Sequence, residues 1–348
     1  MKYLITLALA FIFLTGCSKK SEQAPVNDAA KYQVDSSDIK AAPIENPNES
    51  FKLAYKLAKD KTYHYRLSTI TSDLQTIKTN DTTLTSKVTQ TIIYLIDLTP
   101  VSVDKDGIME INCMFNSVKL NADANGREFN YESGVNKDSV EKNKYADYEA
   151  LTNSDIGLRV SKRGEILEVF RTDKIVNKFL SLKGLTDSVN AAEIAQLKTN
   201  MVEGAVKPLL YQIFRSLPDH QLAKDSGWTY QQPASQFMVF QMQNTNTYKV
   251  SELEKFGNDK LAVIEGGLMT AISGKNKVSQ QGVDYDFKKP ETTAGGKIFF
   301  NITEGCIQKA KTFTKINISF SMRAKTPKGI QRGSKSETIT NSYVLERL

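Results

Sequence analysis

Cysteine and histidine are the residue types best suited to nucleophilic, acid–base or metal chemistry. This 348-residue sequence contains three cysteines and two histidines. His64 lies on the polar face of a predicted strand, and His220 follows a proline in a predicted loop. Neither has a second histidine or a cysteine at metal-binding spacing, and no Gly-x-Ser-x-Gly or acidic calcium-loop pattern occurs. The histidines therefore predict neither a metal site nor a hydrolase triad.

One segment partly matches a phosphate-binding loop, because it ends in Gly274 and Lys275. Met269 stands where that loop needs its first glycine, and Asn276 replaces the serine or threonine that would hold Mg²⁺. The 39 acidic residues always offer carboxylate pairs, but distance along the sequence does not report distance in space. We therefore expect a protein that is not an enzyme and that needs no metal or cofactor.

Cys17 has the most distinctive setting of the three cysteines. Lys2 precedes an apolar run over residues 3–14, which is shorter than the ~20 residues of a membrane-spanning helix, and the run ends in Leu14-Thr15-Gly16-Cys17. This order resembles the bacterial lipobox, which implies cleavage between Gly16 and Cys17 and attachment of acyl chains such as palmitate to Cys17. Two or more chains hold a protein stably on a membrane. An ordinary secretory signal with a chance cysteine is the alternative.

The residues after Cys17 bear on the side of the membrane that the protein faces. Ser18 stands where an aspartate would favour the inner membrane, and Lys19 and Lys20 stand where an acidic cluster would favour surface display. We therefore expect an outer-membrane anchor and an orientation towards the periplasm. Residues 17–50 are rich in proline and polar residues, so they predict a disordered tether.

Charge and the other two cysteines add little chemistry. The formal net charge of +7 is interspersed, and without a basic stripe it does not indicate nucleic-acid binding. Cys113 shares a strand face with apolar residues and is expected to be buried and inert. Cys306 follows a predicted turn glycine, and a Cys113–Cys306 disulfide is left open for an oxidising compartment.

The elements that position these residues are mostly strands. Tyr63, Tyr65 and Leu67 alternate with polar residues, residues 84–98 continue the alternation, and residues 313–323 and 336–346 flank a loop at 324–335. Residues 104–120 resemble 257–273, and residues 156–170 resemble 298–312, with turn glycines at Gly164 and Gly305. The sequence thus predicts a leader over residues 1–16, a first β-meander over 51–171 and a related second meander over 220–348.

Residues 172–219 between the meanders change to helical periodicity. Thr172 and Asn190 are candidate N-caps, and Gly204 and Pro208 interrupt the helical pattern. An apolar stripe follows, which either completes the core or lines a ligand cavity. In the second case the candidate apolar contacts are stripe residues together with strand residues: Val206, Leu209, Leu210, Ile213, Phe214, Leu217, Ile92, Tyr94 and Ile96.

A family resemblance follows from the order of several segments. After the lipobox come "FKLAYKLAKDKTYHYRL", "DKDGIMEI", "LRVSKRGEILEV", a helical stretch ending in "SLPD", "DSGWTY" with the sole tryptophan, and "GGKIFFNITEGCI". This order resembles a family of Gram-negative envelope lipoproteins of unknown function. It implies an address and a fold but no catalytic residue. The element order is also similar to that of open β-barrel carriers of lipid or lipoprotein in the periplasm.

These patterns together predict a mainly β fold with a helical insert. Long antiparallel meanders would form a curved open sheet or half-barrel, with internal duplication as one interpretation. The expected function is non-enzymatic binding by a membrane-anchored envelope lipoprotein that carries an apolar, lipid-like ligand. The alternative is a scaffold that binds other envelope proteins through an exposed apolar patch or a sheet edge.

Overall fold

The structure is a computed structural model, and it describes residues 29–135, 137–327 and 329–348. The chain divides into two compact units, residues 1–33 and 34–348. In the first unit, Ala29–Tyr32 form a 3₁₀ turn. The predicted leader, the cleavage site at Gly16 and Cys17, and residues 18–28 of the predicted tether lie outside the described residues.

The first half of the second unit is a β-meander interrupted by two short helices. Its strands are β1 (Ala42–Pro43), β2 (Tyr63–Thr79), β3 (Thr83–Val103), β4 (Met109–Ala124), β5 (Arg127–Glu132), β6 (Asp155–Val160) and β7 (Ile166–Phe170). The helices α1 (Ser139–Lys144) and α2 (Ala146–Leu151) lie between β5 and β6. The sequence did not predict these helices, although Asp138 caps α1 by accepting a hydrogen bond from the Glu141 N–H.

The predicted helical insert consists of α3 (Asp173–Lys183), α4 (Ala191–Met201), one π-helical turn (Val202–Val206) and α5 (Lys207–Ile213). Asn190 and Glu193 form a capping box at the start of α4. Thr172 occupies the N-cap position of α3 but makes no side-chain capping bond. Pro208 lies just after the π-helical turn inside a continuous helical run from Ala191 to Ile213, and as a proline it has no N–H to donate back to that turn.

The second half returns to long strands. They are β8 (Gly227–Gln231), β9 (Ser235–Phe237), β10 (Phe240–Phe256), β11 (Asp259–Ser273), β12 (Lys277–Gln280), β13 (Val283–Phe287), β14 (Glu291–Asn301), β15 (Cys306–Thr326) and β16 (Gly329–Arg347). The predicted loop over 324–335 is wrong, because Lys325 pairs with Ile330 and β16 already begins at Gly329. Once two strands are in register, ladder hydrogen bonds extend them through polar, solvent-facing sequence.

All the strands form one antiparallel sheet of 16 strands that is not closed into a barrel. Its main order is β1-β10-β11-β14-β15-β16-β2-β3-β4-β6-β7. The order β3-β4-β6-β7 in one half matches β10-β11-β14-β15 in the other, with an excursion between the second and third strand each time. The C-terminal strand β16 pairs with β2 from Gly333–Thr79 to Arg347–Tyr65, so the two meanders are joined into a single sheet.

The core lies on one face of this sheet. Strand register aligns a row of buried apolar side chains across six strands: Ile264, Ile298, Ala310, Leu345, Leu67 and Tyr94. Helix α5 packs on this face through Leu210 and Ile213, which are almost fully buried. Each half of the sheet therefore buries its alternate residues against the helical insert.

Residues 51–57 pass between two turns of the sheet. Phe51 exchanges backbone hydrogen bonds with Leu222 at 2.9 and 2.8 Å. Further along, the Tyr55 N–H donates to Lys162 O at 2.8 Å and the Lys56 N–H donates to Gly305 O at 3.0 Å. This segment, which we call the bridging segment, thus links the β6–β7 turn to the β14–β15 turn.

Residues 35–43 form a strap on the opposite face of the sheet. Asp35 and Asp38 make ion pairs with Lys309 at 2.8 Å and with Lys297 at 2.6 Å. Apolar contacts join Ile39 and Ala41 to a small cluster of Leu261, Val263 and Phe299, and β1 adds a two-residue pairing to β10. The predicted tether is therefore wrong from residue 34 onward. The segment has too few apolar residues to offset the entropy cost of its own ordering. Its ion pairs and its contacts with the sheet surface offset that cost instead.

Candidate functional site

A cavity of about 530 Å³ opens between the end of α5 and strands β10, β11, β14, β15 and β16. This volume lies within the ~300–1,000 Å³ that is typical of small-molecule sites. Two more elements contribute to its wall, the β6–β7 turn and the chain from β8 to Pro233. The cavity is therefore built where the helical insert leaves part of the concave sheet face uncovered.

Paired glycines lie at the floor of the cavity. Gly266 of β11 pairs with Gly296 of β14, and Gly267 pairs with Gly295; three of the four, all but Gly296, line the cavity. A Cβ added to Gly266 would meet no heavy atom nearer than the Tyr248 ring, at 4.0 Å. Because glycine has no side chain, Gly266 leaves open space where the neighbouring row of the sheet has Ile264 and Ile298. A Cβ on Gly267 or Gly295 would instead meet Thr247 Oγ1 at 2.8 Å or the Phe313 ring at 3.1 Å.

Aromatic rings form much of the rest of the wall. Phe214, Tyr248 and Tyr343 line the cavity. Trp228 stacks on Tyr248 with ring centroids 5.0 Å apart, and its Nε1–H donates to Ser216 O at 3.0 Å. Trp228 thus ties the chain after α5 to strand β10, which fixes one side of the opening. Burial raises the pKa of Tyr248 and of Tyr343, so both phenols are neutral donors at physiological pH.

Arg215 is the basic residue at the cavity among its described lining residues. Its Nη2–H donates to the Gln212 side chain and to Thr312 Oγ1 at 3.3 Å. Its Nε is buried and has no hydrogen-bond partner. The Arg215 backbone N–H donates to the Tyr55 hydroxyl at 2.7 Å, and that hydroxyl donates to Ile213 O at 3.1 Å. The buried Tyr55 therefore fixes the backbone from which the guanidinium projects.

Amides and hydroxyls give the cavity a polar side. Gln232 Nε2 donates to Asn246 Oδ1 at 2.8 Å, and Thr270 Oγ1 donates to Asn244 Oδ1 at 2.8 Å. Gln232, Asn244 and Asn246 all line the cavity. Together with the apolar floor and rings, they make the cavity amphipathic.

One of the nine predicted apolar contacts, Phe214, lies at the cavity wall. Six of the others are buried in the core, namely Val206, Leu210, Ile213, Leu217, Tyr94 and Ile96. The remaining two, Leu209 and Ile92, are partly buried against that core. The stripe of α5 thus mainly completes the core. Sequence analysis missed Arg215 and the glycines, although the pairs at 266–267 and 295–296 inside strand patterns were a signal of open space or close approach.

The other residues with chemical potential lie apart from the cavity. Cys113 and Cys306, whose pairing the sequence left open, are both buried and free in this structure. His64 contacts Asp97 at 2.6 Å on neighbouring strands, and His220 lies near Asp219 at 3.8 Å. Within residues 29–135, 137–327 and 329–348, no group of three or more His, Cys, Asp or Glu side chains is arranged to hold a metal ion. No helix in the same ranges is long and apolar enough to cross a membrane.

A profile of the Family of unknown function (DUF6263) matches residues 106–307. The chain belongs to this family. The match confirms the resemblance to a family of unknown function that the sequence segments indicated. No characterised protein shows significant sequence similarity to this chain.

Among solved structures, this chain is similar to a structure of lipovitellin that describes lipid–protein interactions. The TM-score is 0.44 at 11% identity, over 84% of this chain and 25% of that one, so the chain spans about a quarter of lipovitellin. An outer membrane channel from Pseudomonas putida F1 has a TM-score of 0.17 at 8% identity, over 84% and 97% of the two chains. A loop L8 deletion mutant of OmpT, an outer membrane protein of Vibrio cholerae, has a TM-score of 0.18 at 8% identity, over 82% of this chain and 100% of that one. None of these similarities supports an inference about activity.

Proposed function

We propose that this protein is a lipid-anchored protein of the cell envelope that binds an apolar, lipid-like ligand without changing it chemically. The observation that carries the proposal is the cavity of about 530 Å³, whose floor is glycine and whose walls are largely aromatic and aliphatic. An apolar ligand entering it gains roughly 25 cal/mol for each Å² of apolar surface that leaves water. The cavity is already open in this structure, and that supports the proposal.

The anchor in this proposal is Cys17, and it rests on the lipobox-like order Leu14-Thr15-Gly16-Cys17. Mass spectrometry of the N-terminal peptide from isolated membranes tests it. We expect a chain that begins at Cys17 and carries acyl chains. A retained leader, or an unmodified thiol at residue 17, would remove the anchor from the proposal.

The proposed location is the outer membrane, facing the periplasm, because of Ser18, Lys19 and Lys20. Protease added to intact cells should leave the protein whole, and it should digest the protein once the outer membrane is permeabilised. Loss of the protein from intact cells while periplasmic controls survive would contradict this orientation.

The test of ligand binding is extraction of the purified protein with organic solvent, followed by lipid mass spectrometry. We expect a defined lipid class at close to one molecule per chain. The matched control is Gly266→Leu, which places a side chain in the cavity and should release the lipid while the chain stays folded. Extracts without lipid from both proteins would favour the scaffold alternative.

A further inference from the structure

The cavity holds one positive charge and has no acidic side chain free to balance it. Arg215 makes no ion pair with any carboxylate in the described part of the chain. Of the described lining residues the acidic one is Glu165, and it is engaged elsewhere. Its carboxylate contacts Arg163 at 2.7 Å and accepts a hydrogen bond from Ser161 Oγ at 3.1 Å.

The guanidinium of Arg215 is only partly satisfied by the protein. A guanidinium stays charged at every physiological pH and offers five N–H donors. Here one nitrogen contacts Gln212 and Thr312, while the buried Nε has no acceptor. Burying an unpaired donor of a charged group is costly, so the site is short of an anionic acceptor.

The surroundings of Arg215 suit a head group on one side and an apolar chain on the other. The positive charge of Arg215 acts on the phenols of Tyr248 and Tyr343, where it opposes the rise in pKa that burial causes. Phe214, Leu268 and Ile298 continue the cavity wall beside the glycine floor. The hydrogen bonds from Arg215 Nη2 to Gln212 and Thr312 keep the guanidinium pre-positioned, which lowers the ordering cost of binding.

We propose that the ligand is a single-chain amphiphile with an anionic head, a carboxylate or a phosphate, and that Arg215 is the counter-ion for that head. This inference rests on the proposed function, since it names the class of ligand that the same cavity takes. The acidic head would accept from the guanidinium, including the unpartnered Nε–H, and the apolar chain would lie along the glycine floor.

The experiment compares an acid with its uncharged analogue. The chain from residue 17 to residue 348, produced without the leader so that Cys17 stays unacylated, is titrated with parinaric acid, a fluorescent long-chain fatty acid, and with its methyl ester. We expect the acid to bind at least about ten-fold more tightly, as for a charge-assisted hydrogen bond. Displacement by oleate or by a lysophosphatidic acid then identifies the head as carboxylate or phosphate.

Three variants assign the effect to Arg215. Arg215→Gln should abolish the preference for the acid over the ester, and Arg215→Lys should keep part of that preference. Arg159→Gln is the matched control, because it removes a half-exposed arginine that does not line the cavity. A thermal melt of each variant reports folding. If Arg215→Gln fails to fold, the acid–ester difference in the native chain and its weakening by salt decide the question.

The outcomes separate the two proposals. Equal binding of acid and ester by the native chain would overturn the role of Arg215 and leave the lipid-binding proposal standing. Binding of neither probe, nor of the competing amphiphiles, would overturn both.

Discussion

Gly164 in the β6–β7 turn and Gly305 in the β14–β15 turn both lie against the bridging segment, at the neighbouring residues Tyr55 and Lys56. A Cβ on Gly164 would collide with Arg215 O and lie 2.6 Å from the Tyr55 ring, and a Cβ on Gly305 would lie 2.6 Å from the Lys56 backbone nitrogen. Both glycines have positive φ, 81° and 65°. The bridging segment therefore passes between two turns that admit no side chain.

Replacing either glycine by alanine should destabilise the fold. We expect Gly164→Ala and Gly305→Ala each to cost about 2–4 kcal/mol, since a strained φ adds to a steric clash. Gly257→Ala is the control, because Gly257 has φ 61° but no heavy atom near its Cβ position, and about 1 kcal/mol is expected there. Urea unfolding measures the differences, and equal losses at all three positions would show that the bridging segment and the Arg215 backbone can move aside.

Substitutions at the paired glycines Gly266 and Gly296 should change the free energy of unfolding in different ways. Gly266→Leu should leave the free energy of unfolding unchanged or raise it by up to about 1 kcal/mol, because a strand glycine is intrinsically unfavourable and the new side chain enters the cavity. A Cβ on Gly296 would collide with Lys311 O and approach Thr312 Cα at 2.6 Å. Gly296→Ala should therefore cost about 1–3 kcal/mol.

Binding distinguishes these two variants further. Gly266→Leu should lose the ligand at unchanged stability, measured by calorimetry and lipid extraction. If the Gly266→Leu protein keeps its full lipid content, the ligand lies elsewhere.

The Tyr55 hydroxyl forms hydrogen bonds with the backbone at the C-terminal end of α5. Tyr55→Phe leaves Ile213 O and the Arg215 N–H without their partner at a buried site, so we expect a loss of about 1–3 kcal/mol. Tyr211→Phe serves as the control, because Tyr211 is 47% exposed and its change should stay within about 0.5 kcal/mol. Chemical denaturation compares the two, and a neutral Tyr55→Phe would mean that water replaces the hydroxyl.

The strap should respond to acid. The hydrogen bond from the Lys309 ammonium holds the pKa of Asp35 well below its usual range. A carboxyl whose pKa is lowered by folding stabilises above its unfolded value of ~3.9, and the effect fades as the pH falls below it towards the folded pKa. Limited proteolysis should therefore find residues 35–43 protected at neutral pH and released only in strong acid.

Asp35→Asn should release the strap at neutral pH without changing the melting temperature of the sheet. Asp81→Asn, at the exposed β2–β3 turn, is the matched control. Equal proteolysis of the native protein and of Asp35→Asn at neutral pH would assign the attachment to the apolar contacts of Ile39 and Ala41 instead.

Thiol chemistry tests the buried cysteines and the anchor together. Burial raises the pKa of both Cys113 and Cys306, so neither should react with a thiol reagent in the folded protein at neutral pH. Unfolding of the membrane-purified protein without reductant should expose two reactive thiols if Cys17 is acylated and three if it is free. No reactive thiol after unfolding would indicate a Cys113–Cys306 disulfide.

The sheet was predictable from the sequence because its strands are buried on one face. That burial imposes the alternation of Tyr63, Tyr65 and Leu67, and the turn glycines at 164 and 305 mark reversals that only positive φ allows. The cavity was harder to predict from the sequence, because it depends on the strand register that places Gly266 beside Gly296. The strap was missed because its attachment depends on lysines of β14 and β15 that lie more than 250 residues away.

The pairing of β16 with β2 has a consequence for the order of events during biosynthesis. Residues 329–347 occupy the middle of the sheet and join residues near position 70, so neither meander has its inner neighbour until β16 has been translated. Contacts of such long sequence separation form slowly. Until they form, each half presents an unpaired strand edge that is prone to aggregation. Removing the last strand should therefore yield a chain that depends on chaperones throughout its lifetime and that proteases degrade.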